Sequence, residues 1–458
     1  MTSAGRPAPV GQTIVDLIAR KRDGGHLTGE ELGRLVRAHL AGEMDDAQMA
    51  AFLMAGVLRG FSRDEAIALT EILAASGGRV DLSALPGPTV DKHSTGGVGD
   101  TATLVVGPLL AATGCQVAKL SGAGLGHTGG TIDKLASIPG FRVDLSPREL
   151  CRQVERVGIA VSAAGPELAP ADRRLYALRD VTATVQDPAL IASSIMSKKL
   201  AGGAAHVLLD VKVGNGALLG SEQEARDLAE LCVAIGRAHG RATGALLTQM
   251  SEPSSDAIGN ALEVGAAIEV LRGERGGPLR EVSLALTSAA LRLTGRGPAD
   301  AQAAAVDALD SGRALEAFRE WIRAQGGPAD LPDAPWRYLP VAPVRVDWMP
   351  DPGVVGRLDT RALGLIAGRL GAARTRQGQP IDPAVGLEVL VRTGSRLESG
   401  QPAARVHARS AGDGDAALEA LTAAVELVQD PVPTLPTVLG EVGVDGPGDP
   451  GDGEAARG

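Results

Sequence analysis

Aromatic residues are scarce in this chain: Phe, Tyr and Trp together make up 2% of its 458 residues. Its cores must be built from Ala, Leu, Val and Ile instead. Cysteine is nearly as rare. Cys115, Cys151 and Cys232 stand far apart with no C-x-x-C pair, which excludes a disulfide framework and a zinc site and reads as buried small hydrophobes in a reducing compartment. Basic clusters are missing too. The 45 Lys and Arg against 55 Asp and Glu leave a formal charge of −10, which argues against nucleic acid or a membrane as partner. A small anionic substrate stays open, because it feels only the local field. The most apolar long stretch, Ala102 to Ala118, carries Gly107, Pro108 and Gly114 and is too short to span a bilayer. The opening MTSAGRPAPVGQT has no apolar h-region, so a cytoplasmic location without a signal peptide is expected.

What is present is enough chain for two or three domains with buried cores, and a generous supply of turns in 61 Gly and 28 Pro. Residues 11–76 read as consecutive amphipathic helices. Thr28 with Glu31 and Ser62 with Glu65 form capping boxes ahead of apolar runs. We assign 1–76 to a helical lobe, followed by a Gly/Pro linker. Residues 88–165 then read as the first part of an α/β lobe and 166–202 as a return to the helices. Residues 203–340 continue the α/β lobe, with His206–Val213 and Ala245–Gln249 as strands. Residues 341–435 form a β-rich C-terminal module in which Glu388–Val391 and Ala403–Val406 are strands. The rest, 436–458, is Gly, Pro and acid without periodicity and is expected to be disordered.

Chemistry concentrates in three stretches. Asp91-Lys-His-Ser-Thr-Gly-Gly-Val-Gly-Asp-Thr101 and Lys119-Leu-Ser-Gly-Ala-Gly-Leu-Gly-His-Thr-Gly-Gly-Thr131 are rich in glycine. Neither is a Walker loop nor a dinucleotide fingerprint. Both offer bare backbone N–H groups beside a lysine and hydroxyls, a nest for an oxyanion such as phosphate. Between Thr101 and Ile132 there is no Asp or Glu, which favours an anion locally. From the residues alone, tight turns without a ligand remain the competing reading. In the third stretch, Ser194 and Lys198 fall at i and i+4 if 189–200 is helical, with Arg179 just before them. These donors suit a ring bearing carbonyl oxygens and an N–H; a solvated Ser/Lys helix face reads equally well from spacing.

Taken together and in order, Asp91-Lys-His-Ser-Thr-Gly-Gly-Val-Gly-Asp, Gly124-Leu-Gly-His-Thr-Gly-Gly-Thr, Leu178-Arg-Asp-Val-Thr-Ala-Thr-Val and Ser197-Lys-Lys resemble the thymidine and pyrimidine-nucleoside phosphorylases. The resemblance runs from about residue 11 to about residue 430. It implies an α/β fold in which a small all-helical lobe faces a larger α/β sheet lobe, with a C-terminal β-rich module, in a homodimer. It implies that Lys92, Ser94, Thr103, Lys119, Ser121 and Thr131 hold phosphate. His93, Arg179, Ser194 and Lys198 would hold the pyrimidine, with His93, Arg179 and Lys198 as catalytic residues. No organic cofactor is implied, inorganic phosphate being a co-substrate. His127 receives no ligand role and reads as a structural imidazole. A related glycosyl-transferring enzyme, such as a nucleotide phosphorylase or an anthranilate phosphoribosyltransferase, and a non-catalytic pyrimidine or phosphate sensor are the competing assignments.

The chain departs from the family pattern at Ala123 (usually Arg), at Ala136 in Asp133-Lys-Leu-Ala, and in Met250-Ser-Glu-Pro-Ser-Ser255. Some members hold potassium through carbonyls, hydroxyls and a glutamate. Gly99, Thr101, Ser254 and Ala257 match the uncharged positions, but Ala266 stands at the glutamate's, so the chain is expected to have lost the charged ligand of that ion.

Overall fold

The computed structural model describes residues 12–122, 124, 129–374 and 379–444. The chain separates into two compact units. One comprises residues 1–80, 166–203 and 234–239, and the other comprises 81–165, 204–233 and 240–458.

The helical unit opens with α1 (Ile14–Arg22), α2 (Gly29–Ala41), α3 (Asp46–Arg59) and α4 (Arg63–Ala74). Each starts where a side chain satisfies the first orphan N–H groups. Both expected boxes form, Thr28 with Glu31 and Ser62 with Glu65, and Thr13 with Asp16 and Asp45 with Gln48 repeat the device. The sheet unit then begins with β1 (Thr89–Ser94), α5 (Ala102–Ala112), β2 (Gln116–Ser121), α6 (Thr131–Ala136), α7 (Pro147–Val157) and β3 (Ile159–Ala163). The long apolar stretch from Ala102 is thus a buried helix and the start of a strand. The chain returns to the helical unit as α8 (Pro170–Val181) and α9 (Pro188–Gly202). The helical core joins Leu17, Leu32, Leu35, Phe52 and Leu69 to Leu175 and Leu190 of this return.

Beyond it come β4 (His206–Val213), α10 (Glu222–Ala238), β5 (Ala242–Gln249), β6 (Ala257–Ile258) and α11 (Asn260–Leu271). The helices α12 (Pro278–Leu293), α13 (Pro298–Asp310), α14 (Arg313–Ala324) and α15 (Pro335–Tyr338) follow. The C-terminal module holds β7 (Val344–Trp348), β8 (Gly353–Leu358), α16 (Thr360–Leu370), β9 (Gly386–Val389), β10 (Arg396–Leu397), β11 (Ala404–Ala408), α17 (Ala411–Ala424) and β12 (Val425–Val428). Its strands make two small antiparallel sheets, ordered β10-β8-β12 and, with β6 of the preceding segment added at one edge, β6-β9-β11-β7. Few aromatics are available, and three of them meet in one place: Trp321 packs edge-on against Phe141 and Phe318 in the core of the large sheet.

The sequence does not show the last strand. β13 (Val438–Val442) pairs antiparallel with β5, inside the segment expected to be disordered from residue 436. Its side chains are only half-buried to exposed, so the strand rests on main-chain bonds to a sheet edge, and a hydropathy pattern cannot reveal those. Residues 445–458 of that expectation lie outside the described residues. Cys151 is a second correction. Cys115 and Cys232 are buried, and burial pushes their thiols up to about 11 and about 12, but Cys151 is only half-buried on α7. No described helix is long and apolar enough to cross a membrane.

Candidate active site

The six-stranded sheet runs β13-β5-β4-β1-β2-β3, parallel except for β13. Strands are added on one side of β1 as far as β3, and the next strand, β4, lies on the other side. The carboxyl ends of β1 and β4 therefore flank a point where the winding reverses, the place where open α/β sheets bind ligands. Lys92, His93 and Ser94 occupy that end of β1, Lys119 and Ser121 the same end of β2, and Thr103 the first turn of α5. Thr131 opens α6. All the expected phosphate residues therefore belong to the sheet unit.

The lysines do not stand bare beside the glycines. Lys92, 3% exposed, pairs with Asp210 at 2.7 Å. The same carboxylate takes Lys212 at 2.9 Å and the Thr248 hydroxyl at 2.6 Å. Lys119, 4% exposed, donates to the Lys92 carbonyl and lies 3.9 Å from Asp91. Ser94 donates to Asp100, and the Gly96 N–H donates to Ser94 Oγ at 3.1 Å. Burial pushes the Asp100 carboxyl up, but the ammonium groups of Lys212, Lys92 and Lys134 and the Ser94 hydroxyl hold it well below the usual range. The stretch without acids thus has a carboxylate of the neighbouring strand, Asp91 of β1, beside its Lys119. Charges adjacent in space need not be adjacent in sequence.

Anion-binding capacity remains in the backbone and hydroxyls. Thr101, the N-cap of α5, makes no capping bond; its hydroxyl donates instead to Glu263 at 2.8 Å. That leaves N–H groups of the first turn of α5, beside Thr103, without a side-chain cap where the macrodipole favours an anion. Gly96 and Gly99 have φ of 90° and 64°, a region closed to most side chains, and a Cβ at Gly99 would meet the Ala257 carbonyl at 2.9 Å.

The potassium expectation needs a correction. Glu263, one helical turn before Ala266 on α11, brings a carboxylate to Thr101, so Ala266 does not leave the region without one. That carboxylate is already neutralised by Lys134 at 2.6 Å, and the Gly99 carbonyl accepts from Ser255 N–H at 3.1 Å. An alkali cation here would sit beside the Lys134 ammonium, so the residues present do not fit one.

Three of the four expected base contacts, Arg179, Ser194 and Lys198, lie in the helical unit, whereas His93 belongs to the sheet unit. Ser194 and Lys198 share a face of α9 as their spacing implies, with Lys198 Nζ donating to Ser194 Oγ at 3.0 Å. Asp172 of α8 holds the same ammonium, a partner the sequence reading missed. Arg179 is 3% exposed. It donates through Nε to the Thr184 carbonyl at 3.2 Å, through Nη1 to Leu190 at 3.0 Å and through Nη2 to Val185 at 2.7 Å. Burial lowers its pKa. Three of its five N–H groups thus hold the loop before α9 and the first turn of α9 itself. Ala123 and His127 lie outside the described residues.

Asp210 and Lys212 could have been found in advance. They are two charges at i and i+2 in the otherwise apolar strand His206–Val213, and buried charge in a parallel strand signals a paired network. Asp172, Glu263 and Lys134 carry no such local mark.

The helical bundle, the parallel sheet with its switch point and the C-terminal sheets match the domains of one class of glycosyl-transferring enzymes. Residues 15–77 match the helical bundle domain of the glycosyl transferase family, residues 86–315 its a/b domain, and residues 354–428 the pyrimidine nucleoside phosphorylase C-terminal domain. The chain is 47% identical over 402 residues to thymidine phosphorylase of Burkholderia cenocepacia (strain HI2424), covering 86% of this chain and 91% of that protein. It is 45% identical over 391 residues to pyrimidine-nucleoside phosphorylase of Geobacillus stearothermophilus, covering 85% and 90%. The crystal structure of anthranilate phosphoribosyltransferase from Thermus thermophilus shares the fold, with a TM-score of 0.56 at 20% identity over 68% of this chain and 99% of that one. The chain belongs to the thymidine and pyrimidine-nucleoside phosphorylase family.

Proposed function

We propose that the chain is a pentosyltransferase of the pyrimidine-nucleoside phosphorylase type, converting thymidine and phosphate to thymine and 2-deoxy-α-D-ribose 1-phosphate. The observation that carries this reading is a donor-rich strand end and an uncapped helix start at the sheet's switch point, in a chain of this family. Phosphate binding is assigned to Lys92, Ser94, Thr103, Lys119, Ser121 and Thr131. Pyrimidine binding is assigned to His93, Arg179, Ser194 and Lys198.

In the reaction a phosphate oxygen forms a bond to C1′ while the C1′–N1 bond breaks and its electron pair leaves with the base. Phosphate is a mediocre nucleophile, so fixing it below C1′ matters more than activating it. Its charge also stabilises the oxocarbenium-like sugar. Donors to the pyrimidine carbonyls from Arg179 and Lys198 take up the charge that develops on the base. We assign His93 to give or share the proton that the departing ring needs. Lys92 and His93 are neighbours on β1, so one strand end would serve both nucleophile and leaving group.

The test follows base release by absorbance from thymidine, deoxyuridine and uridine, each with and without phosphate. Phosphate-dependent release is expected, fastest with thymidine; no release from a folded protein would leave the sensor reading. We infer further that activity needs no potassium, because Lys134 already neutralises Glu263. Equal rates in potassium-free and potassium-containing buffers are expected, and a steep requirement would refute this. We also infer a homodimer in the cytoplasm. Ala47, Ala51 and Leu58 lie exposed along one side of α3, and Val15 of α1 is 60% exposed, an apolar face suited to a second copy. Light scattering that returned a monomer mass would reject it.

A further inference from the structure

The six-residue helix α6 does more than its length suggests. Two consecutive buried side chains on it reach both glycine-rich stretches. Lys134 donates to the Asp100 carbonyl in the first. Asp133 Oδ2 accepts the Gly124 N–H in the second at 2.6 Å. The other Asp133 oxygen, Oδ1, accepts from Arg374 Nη1 at 2.6 Å.

Arg374 comes from the C-terminal module, just past α16, and the turn that presents it is anchored. Gly371 adopts φ 112° at the helix end, a conformation that favours glycine. Ala372 N–H closes onto the Ala367 carbonyl at 3.0 Å, and the Ala372 carbonyl accepts from the buried Asn260 Nδ2 at 2.8 Å. The Asp133 side chain is 7% exposed. Without Arg374 it would be a nearly buried carboxylate without its salt-bridge partner, which is unfavourable enough to turn it away. That movement weakens its grip on Gly124. Backbone donors bind an oxyanion well only when they are fixed beforehand.

We propose that Arg374 is a positioning residue for Gly124, between the assigned phosphate residues Ser121 and Thr131, so that the C-terminal module sets the affinity for phosphate through Arg374, Asp133 and Gly124. This deepens the phosphorylase reading above and rests on it. The module then serves the reaction as well as the fold, although none of its side chains is assigned to substrate.

The test compares wild type with Arg374→Ala, Arg374→Lys, Asp133→Asn and the Arg374→Ala/Asp133→Asn double variant. The readouts are KM for phosphate, KM for thymidine, kcat, melting temperature and the rise in melting temperature that phosphate alone produces. In Arg374→Ala the KM for phosphate should rise about tenfold while the KM for thymidine changes less than about twofold. Phosphate should stabilise this variant only at correspondingly higher concentration. Arg374→Lys should recover part of the loss, and the double variant should be no worse than the poorer single one, as for residues acting in one chain of contacts. Unchanged phosphate dependence in Arg374→Ala, beside a wild type that phosphate does stabilise, overturns the brace alone. Equal rises in both KM values with a lowered melting temperature also overturn it, because they show a purely structural contact. A wild type that neither binds phosphate nor turns over overturns the underlying reading and this proposal with it.

Discussion

Lys92 and Lys198 are both assigned to substrate, yet their surroundings differ sharply. Lys92 is 3% exposed, in a parallel sheet, and paired with a carboxylate that also holds Lys212. Lys198 is 40% exposed, on a helix, and shared between Asp172 and Ser194. The first belongs to a network in which every charge has a fixed partner, so that moving one member disturbs the others. The second keeps its ammonium partly in water, so it can take up a further partner at smaller cost than a fully buried lysine. The lysine proposed to place the nucleophile is thus built into the fold, whereas the one proposed to meet the departing base keeps a solvent-facing ammonium.

The largest break in that comparison should come from Asp210→Asn. It leaves Lys92 and Lys212 facing a neutral amide, and loss of one partner from a buried network costs about 4 kcal/mol. Urea unfolding should show that loss; a change below about 1 kcal/mol would mean the network is not what holds the strand end. Lys198→Ala should act mainly on turnover. It should cut kcat/KM about 10²-fold, or ~3 kcal/mol, by removing a positioned donor, with a smaller loss of about 1–2 kcal/mol in unfolding free energy because the 6% exposed Asp172 loses its ammonium. Near-normal turnover would remove Lys198 from the base contacts.

The smallest effect sharpens the contrast within the helical unit, where Lys21 and Glu65 form a buried pair at 2.8 Å. Burial raises the Glu65 carboxyl, but Lys21, the Ser62 and Leu27 N–H groups and His26 outweigh it and hold it at about 2, from an ordinary 4.5. The folded value lies below the unfolded one, so this stability is present above pH 4.5 and is lost as pH falls toward 2. Glu65→Gln should cost about 2 kcal/mol at neutral pH and flatten the acid limb of a stability profile over that window. An unchanged acid limb would point to other carboxylates as its cause.

The helical unit was legible because its signals are local. Capping boxes such as Thr28 with Glu31 lie three residues apart, and Ser194 with Lys198 needs only one helical turn. The strands His206–Val213 and Ala245–Gln249 were legible from their apolar runs. What escaped is long-range by nature. The acid-free stretch from Thr101 to Ile132 suggested a locally positive field, yet Asp91 reaches Lys119 from the neighbouring strand and Glu263 reaches Thr101 from far along the chain. Glu263 supplies beside Thr101 a carboxylate that a position-by-position match sought at Ala266, because a helix turn brings residues three apart onto one side. Arg179 reads as a donor from its motif, and only the structure shows three of its N–H groups holding backbone.

β13 has a consequence for how the chain is made. The large sheet ends at β5 until a strand from beyond the C-terminal module arrives to close it. During synthesis β5 is therefore finished long before its neighbour emerges, and its free N–H and C=O groups remain a template for pairing with another nascent chain. A chain cut short before Thr437 would keep that edge bare for good. Its characteristic fault would be a tendency to stick to its own kind rather than a loss of catalytic groups.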